Sequence, residues 1–242
     1  MCGIAGIALR EGKLEPALLK TMMAAMAHRG PDSSGQIIRE KVGLGHTRLA
    51  IIDLETGDQP IFNSRGDQLI ANGEIYNFVE LRQTIGQSRF NTRSDCETPL
   101  LLFENQGGKF AEDLRGMYAV SILAGDTGEV YLSRDRFGIK PLYICENNRG
   151  LCFASELQAL VEAGIIKPVL NTIIRDQLLQ QQFTEGKSTA VKGVERVLPG
   201  ETLRIINGAI TKRQRLPALP SEGPADWDEE EALKLLDGVL MG

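Results

Sequence analysis

The second residue of the chain is a cysteine, in the opening Met1-Cys2-Gly3-Ile4-Ala5-Gly6-Ile7. Loss of the initiator methionine leaves one residue with both a thiol nucleophile and an α-amine, and such an amine titrates at about 7.7 to 8.0, near where a general base works best. Position alone also fits a small buried hydrophobe on a first strand. Four further stretches set polar residues in apolar or glycine-rich surroundings: His28-Arg29-Gly30-Pro31-Asp32, His46-Thr47-Arg48-Leu49-Ala50-Ile51-Ile52-Asp53, Asn72-Gly73-Glu74-Ile75-Tyr76-Asn77 and Ser94-Asp95-Cys96-Glu97. Taken singly, they also fit a helix-ending turn, a solvated strand residue, an Asn-Gly turn and an N-cap. His28 and His46 are the chain's two histidines. That scarcity argues against His-based metal sites and against Ser-His-Asp or Cys-His catalysis, so a base must come from elsewhere.

The elements that must position these residues are mostly short strands. Strands are expected at Gly3 to Leu9, Gly43 to Ile52, Gln68 to Ala71, Met117 to Ala124, Glu129 to Arg134, Pro141 to Cys145, Leu151 to Ala154, Thr202 to Ile206 and Ala209 to Arg213. Turns are marked by Asp126-Thr127-Gly128 and by Asn207-Gly208, the pair that a type I′ hairpin favours because both positions need positive φ. Tight turns between neighbouring strands imply antiparallel sheet. Leu14, Leu18, Met22 and Met26 recur at helical spacing on a helix ending near His28, and this stripe reads as core. Further helices are expected over Phe78 to Ile85, Cys96 to Glu104 with Asp95 as N-cap, Ser155 to Ala163 and Thr172 to Gln182. The class is α+β, with helices on the outer faces of antiparallel sheets.

The 242 residues carry a net charge of −5, with Lys and Arg scattered, which favours neither nucleic acid nor an anionic membrane as partner. No apolar run approaches a membrane span, no secretory segment is evident, and the expected location is cytoplasmic. The 4 cysteines lack C-x-x-C spacing, and Cys145 and Cys152, facing each other across a hairpin, read as packed thiols. After Arg215 the chain turns to Leu-Pro-Ala-Leu-Pro-Ser-Glu-Gly-Pro, a linker composition. An acidic helix from about Asp228 follows, with Leu233, Leu236 and Leu240 on one side.

Together with Cys2, the four polar stretches resemble the class II glutamine amidotransferase domain of glutamine-hydrolysing asparagine synthetases. Arg134-Asp135-Arg136-Phe137-Gly138-Ile139-Lys140-Pro141-Leu142-Tyr143, Phe153-Ala154-Ser155-Glu156 and Leu198-Pro199-Gly200 match the same family, whereas Phe78 stands where it often has histidine. The resemblance implies an N-terminal nucleophile hydrolase fold, a four-layer αββα sandwich with two antiparallel sheets. It implies a Cys2 thiolate that attacks the carboxamide of glutamine, with the α-amine as base. Asn72 and the Gly73 N–H are implied as the oxyanion hole. Arg48 is implied as a fork for the α-carboxylate, and Glu74 and Asp95 as partners of the α-ammonium. Main-chain groups of Leu49, Ala50, Ile51 and Ile52 complete the implied pocket, and the Gly116-Met117 strand lines the way for ammonia. His28 and His46 are taken as structural, and Arg29 to Asp32 as shaping a loop beside the site.

The resemblance divides the chain into residues 1–215, a glutaminase domain, and 216–242, a linker and the first helix of an ATP-dependent synthetase domain that the chain lacks. No Ser-Gly-Gly pyrophosphate loop occurs, so no cofactor is expected here, with ATP and magnesium confined to the synthetase domain. The expected partners are L-glutamine and that domain, with a homodimer open, and no nucleic acid or membrane. The competing readings are an inactive glutamine-binding or structural domain, and an amidotransferase serving an acceptor other than aspartate.

Overall fold

The computed structural model describes residues 1–219 and 228–241. In chain order its elements are β1 (Gly3–Leu9), α1 (Pro16–Ala25), β2 (Ser33–Arg39), β3 (Val42–Arg48), β4 (Ile61–Phe62), β5 (Gln68–Ile75), α2 (Phe78–Ile85), α3 (Thr98–Gln106), β6 (Gly116–Leu123), β7 (Val130–Arg134), β8 (Tyr143–Asn147), β9 (Gly150–Ala154), α4 (Leu157–Glu162), α5 (Thr172–Gln181), β10 (Glu195–Arg196), β11 (Glu201–Ile206), β12 (Ala209–Arg215) and α6 (Glu229–Met241). They form two 6-stranded sheets, ordered β10-β8-β9-β1-β3-β2 and β12-β11-β7-β6-β5-β4. Every pairing within them is antiparallel.

Strand periodicity builds the layers, because successive side chains leave opposite faces of a sheet. On β1, Ile4 and Ala8 enter a core with Leu44, Ile70, Ala119 and Leu132, which fills the space between the sheets. Ala5 and Ile7 leave the other face and pack with Leu19, Met22 and Met26 on the α1 side. On β5, Ile70 faces the inter-sheet core, while Leu69, Ala71 and Ile75 pack outward with Leu100, Leu102 and Phe110 beneath α3. The result is helix, sheet, sheet, helix, the expected αββα sandwich. β3 can approach α1 because Gly43 and Gly45 stand there: a Cβ on Gly45 would fall 2.6 Å from the Met23 sulfur.

The sequence expectations fail at several places for physical reasons. β3 stops at Arg48, so Leu49 to Ile52 are loop and not the end of a strand, and the apolar side chain of Ile51 faces solvent. There the chain leaves the sheet to bond elsewhere, with Asp32 Oδ2 accepting from Ala50 N at 2.8 Å. Asn72-Gly73 is strand interior, since β5 pairs with β6 through Asn72↔Ala119 and Gly73↔Tyr118. Asn207-Gly208 is a turn, with φ of 48° and 68°. β2, β4 and β10 were not anticipated; β2 is a polar edge strand and the other two have two residues each.

Asp95 is not the N-cap of α3: Ser94 Oγ accepts from Cys96 N at 3.2 Å, capping a short 3-10 turn that leads into α3. Cys145 and Cys152 are directly opposed on β8 and β9 and both are free thiols. Most of the linker reading falls on 220–227, outside the described residues. α6 begins one residue after Asp228, and none of its residues is buried. Among the described residues no helix is long and apolar enough to cross a membrane.

Candidate active site

The same parity that builds the core delivers the site. Cys2 precedes β1 in step with Ile4 and Ala8. Arg48 ends β3 in step with Leu44, Asn72 and Glu74 continue β5 in step with Ile70, and Met117 lies on β6 in step with Ala119. All five therefore point toward the gap between the sheets at the end where β1 begins and β3 stops. There Met1, Cys2, Arg48, Leu49, Ile51, Ile52, Asn72, Gly73, Glu74 and Asp95 line a cavity of about 260 Å³ together with Gly57, Gln59, Ser94, Cys96, Met117 and Lys140. Of the residues expected at the site only Ala50 is absent from this lining, its N–H being spent on Asp32.

Cys2 is held from both sides. Leu49 N donates to Cys2 Sγ at 3.4 Å, and the thiol faces Leu49 O at 3.6 Å. Arg29 Nε donates to Cys2 O at 2.9 Å, while Arg29 Nη1 pairs with Glu156 at 2.8 Å. The His28-to-Asp32 stretch thus fixes the backbone of Cys2 through Arg29 and the loop beside it through Asp32. His28 sits outside the cavity lining, paired with Glu156. His46 is buried with Nε2 3.1 Å from Ala71 O, and burial lowers its pKa to about 4, so it is neutral at neutral pH.

Asn72 is 1% exposed, and its side-chain Nδ2 is buried without a hydrogen-bond partner in the protein. A buried amide donor left unpaired costs about 1–3 kcal/mol, and Asn72 lines the cavity that Cys2 also lines. Gly73 is dictated by packing: a Cβ there would sit 2.3 Å from the Met117 carbonyl oxygen and 2.6 Å from Tyr118 Cα. Asp95 is 2% exposed; its Oδ2 accepts from Ile75 N at 2.7 Å. Burial pushes its carboxyl above the ordinary value and the nearby Glu74 acts in the same direction. Neither carboxylate has an ion-pair partner among the described residues.

Arg48 departs from the expected free fork. Its Nη1 donates to Asp58 Oδ1 at 2.8 Å and its Nη2 to the carbonyls of Ile52 and Asp53. Both terminal nitrogens are thus already engaged within the protein. Asp58, hydrogen-bonded also to Ser33, has its carboxyl held below the usual range by Ser33 and Arg48.

Sequence reasoning missed Gln59 and Lys140 and gave Cys96 no role. Gln59 Oε1 accepts from Ala71 N at 2.6 Å, bracing β5 one residue before Asn72. Lys140 reaches the cavity because Asp135 Oδ2 accepts both Lys140 N and Tyr118 N, tying its loop to β6. The signal for Lys140 lay within the Arg134-to-Tyr143 stretch, but nothing in that stretch alone says which side chain faces inward. Cys96 donates to Gly73 O at 3.7 Å, and burial, with Asp95 and then Cys2 adding, raises its pKa well above the ordinary thiol value. Iodoacetamide at neutral pH is therefore expected to modify the partly exposed Cys2 and to spare Cys96, as read by peptide mass mapping. Equal modification of the two would contradict this picture.

The glutamine amidotransferase domain model matches residues 1–215. The chain belongs to that family. It is 37% identical over 247 aligned residues to asparagine synthetase [glutamine-hydrolyzing] 1 of Bacillus subtilis, covering 97% of this chain and 38% of that protein. It is 39% identical over 184 residues to asparagine synthetase B [glutamine-hydrolyzing] of Escherichia coli, covering 72% of this chain and 31% of that protein. Among solved structures, glutamine phosphoribosylpyrophosphate amidotransferase from B. subtilis superposes with a TM-score of 0.65 at 22% identity, covering 88% of this chain and 49% of that one. That likeness carries the fold alone, the two-sheet αββα sandwich described above. The sequence relatives make the chain a class II glutamine amidotransferase domain, homologous to the glutaminase half of the asparagine synthetases. It spans between 31% and 38% of the length of the two relatives named.

Proposed function

We propose that this domain hydrolyses L-glutamine to glutamate and ammonia, with Cys2 as nucleophile. The buried, unpartnered Nδ2 of Asn72 in the cavity that Cys2 lines is the observation that carries the reading. The Cys2 α-amine takes the thiol proton as the sulfur adds to the side-chain carboxamide carbon, and the carbonyl oxygen becomes an oxyanion, which Asn72 Nδ2 and the Gly73 N–H receive. Collapse of the adduct breaks the C–N bond, ammonia leaves with a proton returned by the Cys2 α-amine, and water cleaves the thioester to glutamate.

Selectivity for an α-amino acid comes from the other end of the cavity. Glu74 and Asp95 bind the α-ammonium; the α-carboxylate takes Arg48 by displacing the exposed Asp58. Main-chain groups of Leu49, Ile51 and Ile52 complete the pocket, without the N–H groups of Leu49 and Ala50, which Cys2 Sγ and Asp32 already accept.

The α-amine exists only once Met1 is removed, because a retained Met1 makes the Cys2 nitrogen an amide. The test combines an intact mass with an assay for glutamate and ammonia. The expected result is a protein lacking Met1 that releases the two products in equal amounts. Processed protein that releases no ammonia from glutamine would refute the reading and favour an inactive glutamine-binding domain.

The hydrolysis needs no cofactor in this chain. We propose further that the ammonia passes along Met117, which lines the cavity, to an ATP- and magnesium-dependent amide-forming domain with aspartate as acceptor. Ile51, Phe137 and Ile139 are exposed on segments that line or lead into the cavity, which supports such a partner docking there. The free thiols and mild charge support a cytoplasmic setting.

A further inference from the structure

We infer that Asp53 is a positioning residue that pins the loop over the cavity to the turn carrying Asp95; the inference rests on the glutamine reading for its kinetic consequence but not for its structural one. The loop from Leu49 to Asp58 supplies Leu49, Ile51, Ile52 and Gly57 to the cavity wall, yet Ile51 and Leu54 are 64% and 70% exposed. Apolar burial therefore does not hold it. Hydrogen bonds do, at Ala50 to Asp32, at Asp58 to Ser33 and Arg48, and at Asp53.

Asp53 adopts φ 55°, a left-handed conformation that an Asp tolerates because its short polar side chain bonds locally. Its Oδ1 accepts from Thr56 N at 2.9 Å and its Oδ2 from Thr56 Oγ1, which folds the loop on itself. Its carbonyl accepts from Gly57 N at 3.2 Å and from Arg48 Nη2. Gly57 is required beside it, since a Cβ there would lie 2.7 Å from Asp53 O and 2.6 Å from Arg48 Nη2.

One N–H ties the loop to the segment that precedes Asp95: Arg93 N donates to Asp53 Oδ2 at 2.9 Å, with Thr56 Oγ1 at 3.3 Å sharing the same N–H. The segment it reaches is rigidly based. Glu97, fully buried, accepts from Asn91 N at 2.8 Å and from Thr92 N and Oγ1 at 2.7 Å. Arg82 donates to Thr92 O at 2.9 Å and Ser94 O at 2.7 Å, its guanidinium 4.1 Å from the Phe90 ring centroid. Ser94 leads directly into Asp95. Asp53 thus joins Arg48, through its carbonyl, to the turn that carries Asp95, through its carboxylate; these are the groups assigned to the two charged ends of the substrate. Asn72 and Gly73 are fixed by the β5–β6 pairing instead, and the Cys2 carbonyl by Arg29.

The test is Asp53→Asn in the full chain, with Thr56→Val as a second variant that keeps the carboxylate and removes one tie. An amide nitrogen in place of Oδ2 cannot accept from Arg93 N. The glutamine KM is expected to rise about tenfold, the ratio that one hydrogen bond to a charged acceptor commands, with kcat changed by less than about twofold. Hydrogen exchange without substrate is expected to quicken in 49–58 and in 91–94 together, a coupling that a merely local loop defect does not produce. Unchanged exchange in 91–94, or a fall in kcat at constant KM, would overturn the inference. An unmodified chain without glutaminase activity would instead sink the glutamine reading, leaving the exchange result to decide the latch.

Discussion

Cys2→Ala is expected to remove glutamine hydrolysis, by roughly 10⁴-fold or more, while leaving glutamine binding and the fold in place. The side chain adds little to packing, since Cys2 is partly exposed and belongs to none of the buried clusters. Arg48, Glu74 and Asp95 stand on other elements, so calorimetric binding of glutamine should persist. Cys2→Ser keeps the shape and the α-amine but offers an alcohol, far less acidic than a thiol, and should also be severely impaired. A form that retains Met1 should be as inactive as Cys2→Ala despite its intact thiol, because its base is tied up as an amide. Wild-type rates from either substitution would remove Cys2 from the mechanism.

What the sequence made legible follows from how local each feature is. The expected bounds of β1 coincide with the observed ones because seven small and aliphatic residues run from Gly3 to Leu9 without a break. The Asn207-Gly208 turn is legible in the sequence because two positive φ values are a local demand. The identical pair Asn72-Gly73 was ambiguous, and only the approach of β6, with the Met117 carbonyl where a Cβ of residue 73 would stand, decides it as strand interior. Asp95 looked like a cap because its neighbours are those of a helix start. Its actual partner, the amide of Ile75, is 20 residues away in sequence. Leu49 to Ile52 carry the β-branched composition of a strand, but their backbone is recruited by Cys2 and Asp32, and their exposure shows that composition was overridden by tertiary contacts. Lys140 and Gln59 were invisible for a related reason: which polar side chain of a loop enters a cavity depends on how that loop is anchored, and Asp135 supplies the anchor for Lys140.

Asn72→Ala is expected to lower kcat by about 10² to 10³, the loss that follows removal of an oxyanion donor, with little change in the glutamine KM. The same substitution carries a thermodynamic signature that separates this role from a structural one. Nδ2 of Asn72 is buried and bonded to nothing in the protein, so deleting it forfeits no protein hydrogen bond and relieves a desolvation cost of about 1–3 kcal/mol, against which stands the packing lost with a small side chain. Thermal stability should therefore stay level or rise while turnover collapses, the pattern of a group retained for chemistry at the expense of the fold. Arg48→Ala should behave in the opposite way. It releases Asp58 and the carbonyls of Ile52 and Asp53, which should loosen the loop and raise KM, while the oxyanion donors remain in place. If Asn72→Ala acted only on KM, or cost several kcal/mol of stability with kcat preserved, the amide would be a structural tie and the oxyanion would have to be received elsewhere.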